Sequence, residues 1–280
     1  MATADIVVPT INYSSYPADG TKPFFGSRVD PDGKTTNITS RPLEIQVENI
    51  RGKEDQYDLD TSGFKYIKHK SALTKFTDDE EIQRIYYPET IEVLKKYTGA
   101  NRVIIFDHTI RRHRPGGEDT PGNRQPALRA HVDQTPEAAT NRVRRHAPEL
   151  AGELLKHRYQ IINLWRPISH PAFESPLAVC DYRSIDWDKD LTRTTLRYPD
   201  RDGETFTVNH SPNHKWKYLR GMTPEEALLI KCSDSITDGS VARLTPHTAF
   251  VDPTTPKDAP LRESIELRTL VFYDDLPNEA

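Results

Sequence analysis

From residue 158 onward the chain is a succession of short β-biased runs, and this pattern limits its fold more than any other feature. RYQIINLWRPI, LAVCDYRSI, TTLRYP, ETFTVNH, HKWKYL, EEALLIKCSDS, SVARLTPHTAF and LRESIELRTLVFYD follow at close spacing, with Pro, Gly, Asp and Asn between most of them. Many short strands divided by turns predict a sandwich or jelly roll. Composition agrees: 22 prolines against 13 glycines and an apolar fraction of 35% suit a loop-rich β or α+β chain better than a helical bundle. A chain of 280 residues accommodates one large domain, or a core with an N-terminal extension.

The first 60 residues carry turn chemistry, PADGTKP and DPDGKTTN, and little periodicity. They read as an extended arm packed on the core, with one strand around Leu43 to Val47; residues 61–280 then form a single catalytic domain. Thr-Asp-Asp-Glu at 77–80 is a capping-box pattern with Thr77 as N-cap. The helix it opens should run to about Tyr97 and stop at Gly99, disturbed at Pro88. NRVIIFDHTI, residues 101–110, and ALRAHVD, residues 127–133, read as strands. Thr135-Pro136 then starts another helix, with Thr as N-cap and Pro at its first position. There is no internal repeat. The expected class is mainly β with flanking helices.

Several function classes are disfavoured. A formal net charge of -4 argues against a nucleic-acid or anionic-membrane surface. Cys180 and Cys232 lack CxxC spacing and read as buried thiols of a reducing compartment. The opening MATADIVVPTINYSS lacks a signal-peptide pattern, and no run approaches the ~20 apolar residues of a membrane helix. A soluble, cytoplasmic protein is expected. No Gly-rich phosphate loop and no GxSxG elbow occur.

The chemistry-bearing candidate is His131-Val-Asp133. Among ten histidines it makes the only His-x-Asp or His-x-Glu in the chain. Alternate residues of a strand share a face, so an imidazole and a carboxylate two apart can reach one ion. Two His with one carboxylate form the facial triad of non-haem iron oxygenases, which leaves positions open for co-substrate and O2. The tripeptide alone fits a surface His at a strand end better than a metal ligand. His247 sits at the end of an apolar run in ARLTPHTAF. Fifteen residues later, Arg262, Ser264, Glu266 and Arg268 share parity, so one strand face would present two guanidiniums and a hydroxyl. An Arg fork pairs bidentately with a carboxylate; a surface charge ladder is the plain alternative.

His-x-Asp, a distal His and Arg-x-Ser together resemble the pattern of Fe(II)- and 2-oxoglutarate-dependent dioxygenases. The longer blocks NIRGKEDQYDLDTSGFKYIKHKS, YQIINLWRPI, HKWKYLRGMTPEEALLIKCSDS and ARLTPHTAFVDPTTPKDAPLRESIELRTLVFYD resemble the fungal hydroxylase/desaturase family of AsaB-, CmcJ- and NvfI-like enzymes, over roughly residues 45–275. The resemblance implies a double-stranded β-helix, a cupin-like jelly roll. It also implies a non-haem iron oxidoreductase of secondary metabolism that uses Fe(II), 2-oxoglutarate and O2. It assigns iron to His131, Asp133 and His247, and the distal 2-oxoglutarate carboxylate to Arg262 assisted by Ser264. Arg268 is expected to neutralise the co-substrate's other carboxylate or to support Asp133, and Asn163 to hydrogen-bond 2-oxoglutarate. The expected partner is a small-molecule substrate from secondary or amino-acid metabolism, whose unactivated C–H is oxidised with release of succinate and CO2; a homodimer is plausible. Hydroxylation, desaturation, ring closure and endoperoxide formation share this ligand set, so spacing does not choose among them. The alternatives are a redox-neutral Zn(II) enzyme on the same jelly roll and a cupin-like binding protein.

Other residues have two readings each. Trp165 is a cavity wall or core, and Arg166 a turn brace. Asp107, His108 and His113 read as loop residues, or as a lid over the site. His210 and His214 suit packing or substrate contact, and Trp216 and Tyr218 suit core packing or a substrate wall.

Overall fold

The computed structural model describes residues 5–120 and 122–274. Two large antiparallel-rich sheets face each other across a hydrophobic core. The five-stranded sheet runs in the order Phe64–Lys68, Glu226–Asp234, Tyr159–Pro167, Glu263–Phe272, Arg102–Arg112. Its alternation decides its two faces. Ile161, Trp165, Leu228, Ile230, Leu270 and Phe272 turn toward the opposite sheet. Ile162, Leu164, Leu229, Ile265, Leu267 and Val271 turn outward, where helical Ile82, Tyr86, Val93 and Leu94 cover them. Both faces are therefore apolar, which is why LWRPI and SIELRTLVF read as β-rich without a clean polar face.

The second sheet has nine strands, and at its centre Leu177–Cys180, His247–Ala249, His131–Val132 and Asp202–Val208 lie side by side. Each run quoted beyond residue 158 contains a strand, and the whole is a cupin-type jelly roll. The N-terminal segment is more ordered into strands than expected. Thr10–Ser15 pairs with Thr39–Glu44, while Ile6–Val7, Phe24–Gly26 and Val47–Asn49 join the nine-stranded sheet. The expected single strand around Leu43–Val47 is broken between Glu44 and Val47. The missed signal was Ile11-x-Tyr13, an alternation of core residues among turn residues.

The first helix corrects one expectation. Asp78, not Thr77, is the N-cap, accepting from the Glu80 and Glu81 amides at 2.9 and 3.5 Å. A carboxylate there also meets the positive end of the helix dipole. The expected disturbance lies in the turn before Pro88: Ile82–Tyr86 widens to a π-helix, which accommodates a ring that clashes with the carbonyl four residues earlier. The helix ends at Gly99, left-handed at φ 73°. Pro136–His146 starts as expected, with Thr135 accepting from the Ala138 amide. Among the described residues, no helix is long and apolar enough to cross a membrane.

Candidate metal centre and co-substrate site

His131 and His247 belong to neighbouring antiparallel strands and stand directly opposite each other in register. Their ring centroids are 4.4 Å apart. Asp133 follows its strand immediately: within ALRAHVD, His131 and Val132 form the strand proper and Arg129 bridges to Asn12. One ligand atom from each of His131, Asp133 and His247 lies within 4.8 Å of the others. Asp133 Oδ1 is 3.4 Å from His131 Nε2 and 4.0 Å from His247 Nε2. Both imidazoles spend Nδ1 on backbone: His131 on the Arg129 carbonyl at 2.7 Å, His247 on the Thr245 carbonyl at 3.0 Å. That fixes the tautomer and leaves both Nε2 lone pairs aimed at one point, the arrangement of metal-binding histidines.

The electrostatics prepare the same three groups for a cation. Burial, then the charge of His131, pushes the His247 pKa down to about 4, so its ring is neutral near pH 7. Burial opposes ionisation of Asp133, but the hydrogen bond from His131 and the charges of His131 and Arg268 hold its carboxyl well below the usual range. Burial also opposes charging of His131, and the Asp133 carboxylate outweighs it, so the His131 pKa is raised. A cation placed there would displace that proton.

Beside the triad is a small space lined by Arg111, Trp165, Leu177, His247, Ala249, Arg262 and Glu266. Arg262 is 2% exposed and Ser264 fully buried. One Arg262 NH2 group donates to the Ser175 carbonyl at 2.7 Å. Arg262 Nε and Ser264 Oγ are buried without a hydrogen-bond partner among the described residues. Burial, then the neighbouring Arg111 charge, pushes the Arg262 pKa down to about 9. Native structures rarely leave buried donors unpaired. A guanidinium and a hydroxyl short of an acceptor, next to a two-His, one-carboxylate cluster, fit a chelating keto-diacid and a ferrous ion.

On the other side the triad opens into a cavity of about 760 Å³. Arg268 lines it, 2.7 Å from Thr109 Oγ1 and 3.4 Å from Asp107. Asn163 has a partner within the triad. Its amide donates to Asp133 Oδ2 at 2.6 Å, so it touches the carboxylate of the triad.

The remaining candidates sort clearly. Trp165 lines the small space. Arg166 braces two connections, donating to the His69 and Pro224 carbonyls at 3.2 Å. Asp107 and His108 are not loop residues: both lie within the Arg102–Arg112 strand and line the large cavity. His113 meets Glu174 at 2.9 Å. His214 is locked between Asp190 and Tyr13, both at 3.0 Å, and Trp216 donates to the Tyr13 hydroxyl at 2.8 Å. Tyr218 donates to Asp252, so both aromatics pack in the core. Cys180 and Cys232 are buried free thiols. Sequence reasoning missed Arg111, which lines both cavities. It stands directly opposite Ser264, a neighbour that only strand register reveals.

Known proteins share this architecture. A family model described as an oxidoreductase/YMDC permease-like domain matches residues 11–272. The hydroxylase/desaturase efuI of Hormonema carpetanum is 37% identical over 267 residues, 88% of each chain. The chain belongs to the fungal Fe(II)/2-oxoglutarate-dependent hydroxylase/desaturase family. The family includes the Fe(II)/2-oxoglutarate-dependent dioxygenase nvfI of Aspergillus novofumigatus (strain IBT 16806), 33% identical to this chain over 91% of it and 93% of nvfI. A solved structure of the iron and alpha-ketoglutarate-dependent endoperoxidase NvfI superposes with a TM-score of 0.85 at 28% identity, covering 96% of this chain and 99% of that one. This member of the family is an oxidoreductase.

Proposed function

We propose that the protein oxidises an unactivated C–H bond of a small secondary-metabolite or amino-acid-derived substrate, by hydroxylation, desaturation or oxidative cyclisation. One observation carries the reading. Three ligand atoms converge within 4.8 Å between a large cavity and a small space whose buried Arg262 Nε and Ser264 Oγ await an acceptor. His131, Asp133 and His247 would hold the iron, and Arg262 with Ser264 the far carboxylate of 2-oxoglutarate. Bound there, ferrous iron with 2-oxoglutarate and O2 supplies the oxidising power, with succinate and CO2 as coproducts.

The chain's own residues do the rest. The Arg129 and Thr245 carbonyls orient the two imidazoles. Asn163 fixes the Asp133 carboxylate through Oδ2, so that Oδ1 faces the histidines. Trp165, Leu177 and Ala249 supply an apolar wall beside the Arg262 head, which is 2% exposed, and such burial strengthens a guanidinium–carboxylate pair. Arg268 adds positive charge beside Asp133, which favours its ionised, ligating form. Anaerobic addition of Fe(II) and 2-oxoglutarate should produce a metal-to-ligand charge-transfer band that His131→Ala and Asp133→Ala abolish, together with succinate release. Normal bands and turnover in those variants would overturn the assignment.

A further inference from the structure

The charge inventory of the large cavity leaves three arginines without a carboxylate among the described residues, one of them held by a backbone carbonyl. Six arginines line it against four aspartates. Each aspartate is engaged: Asp107 with Arg268 at 3.4 Å, Asp79 with His108 at 3.3 Å, Asp119 with Arg124 at 3.4 Å, and Asp133 within the triad. Of the other arginines, Arg112 meets Glu263 at 3.6 Å, and Arg111 donates to the Gln125 carbonyl at 2.9 Å while also lining the small space. Arg129 and Arg142 remain. Among the described residues neither has a carboxylate within ion-pair distance; each guanidinium stacks on a ring instead, Arg129 on Phe25 at 5.6 Å and Arg142 on Phe106 at 5.1 Å. Both are half-buried, and neither lines the small space beside the triad.

Partly desolvated arginines without counter-ions are costly to keep, and a guanidinium over a ring still offers its N–H fork to an anion. The same cavity contributes Phe25, Phe76, Ile110 and Leu196, which suit an apolar body, and its volume lies within the usual ligand range. We propose that the primary substrate is a small organic acid, its carboxylate held by Arg129 and Arg142 and its apolar body laid across the cavity toward the triad. The inference rests on the dioxygenase reading only in taking this cavity as the substrate site. It is separate from co-substrate binding, because the two arginines do not line the space that holds Arg262.

The test is calorimetric titration with 4-phenylbutyrate, and with its methyl ester as the uncharged control. It is run on protein loaded anaerobically with Fe(II) and excess 2-oxoglutarate, and again on metal-free protein. The acid should bind in both forms and the ester at least tenfold more weakly. Arg142→Gln and Arg129→Gln should each weaken the acid about tenfold, the cost of one charge-assisted hydrogen bond, and leave the ester unchanged. Arg142→Lys should retain part of the affinity, which separates lost charge from lost folding. Equal binding of acid and ester, full acid affinity in both Gln variants, or complete displacement of the acid by 2-oxoglutarate would each overturn the proposal. Failure of the charge-transfer band alone would strike the dioxygenase reading and leave this test intact in metal-free protein.

Discussion

Asn163→Leu separates two roles that one side chain could serve. The residue is fully buried, and leucine keeps its branched four-atom skeleton, so the substitution removes polarity while adding some bulk. In the wild type the Asn163 amide donates to Asp133 Oδ2 at 2.6 Å, and the other contact recorded for that oxygen is the weak Cys232 thiol at 3.9 Å. A hydrogen bond to a buried charged group contributes about 1.5–3 kcal/mol. At about 1.4 kcal/mol per decade, its loss should weaken Fe(II) binding roughly 10- to 100-fold, the range known for groups that orient metal ligands. Asn163→Asp should be worse, since it sets a second carboxylate beside Asp133. The assay is anaerobic Fe(II) titration at saturating 2-oxoglutarate, read by the charge-transfer band, followed by 2-oxoglutarate titration at saturating Fe(II). An iron affinity within about twofold of wild type, with a raised 2-oxoglutarate requirement, would refute the Asp133-positioning role and restore the contact with co-substrate expected from sequence.

Arg262→Ala should raise the 2-oxoglutarate concentration needed for half-maximal band intensity by about 10- to 100-fold while iron binding persists, since it deletes a buried charged donor set. Gly63→Ala should lower Tm and iron affinity together, with a stability loss of about 2–4 kcal/mol. Gly63 has φ +85°, and an added Cβ would lie 2.7 Å from the Leu244 carbonyl, next to the Thr245 backbone that orients His247. Acid stability should depend on Asp234: burial opposes its ionisation, but hydrogen bonds from Arg158, Lys231 and Gln160 outweigh this and hold its carboxyl below the usual range. Its depressed pKa contributes stability at pH values above the unfolded value near 3.8, and that contribution is lost as pH falls through the folded value. Asp234→Asn should therefore destabilise at pH 7 by about 1.5–3 kcal/mol, because it removes one of the two carboxylates that meet fully buried Lys231 and leaves Asp60 at 2.7 Å, and should flatten the urea-midpoint profile below pH 4.

Much of this molecule was legible before any coordinates. Alternating and apolar runs punctuated by Pro, Gly and Asp specified the strands, since side-chain period and turn chemistry are local properties. Thr135-Pro136 and Gly99 marked helix ends for the same reason, and the triad residues were named from His-x-Asp, a distant His and family-like blocks. The errors were contests between close neighbours: Asp78 against Thr77 as cap, and a broken strand around Ile45. What local sequence could not carry was register. Pairing between strands more than a hundred residues apart sets His131 opposite His247 and Arg111 opposite Ser264, and the packing of one sheet on the other brings Asn163 to Asp133. Which arginines find a carboxylate or a carbonyl, and which two face only a ring, is likewise a property of the assembled cavity. Residue type and spacing determined what chemistry this chain carries; the stacking of its two sheets decided which groups meet, because a sheet's neighbours are chosen by its whole ladder and not by the residues on either side.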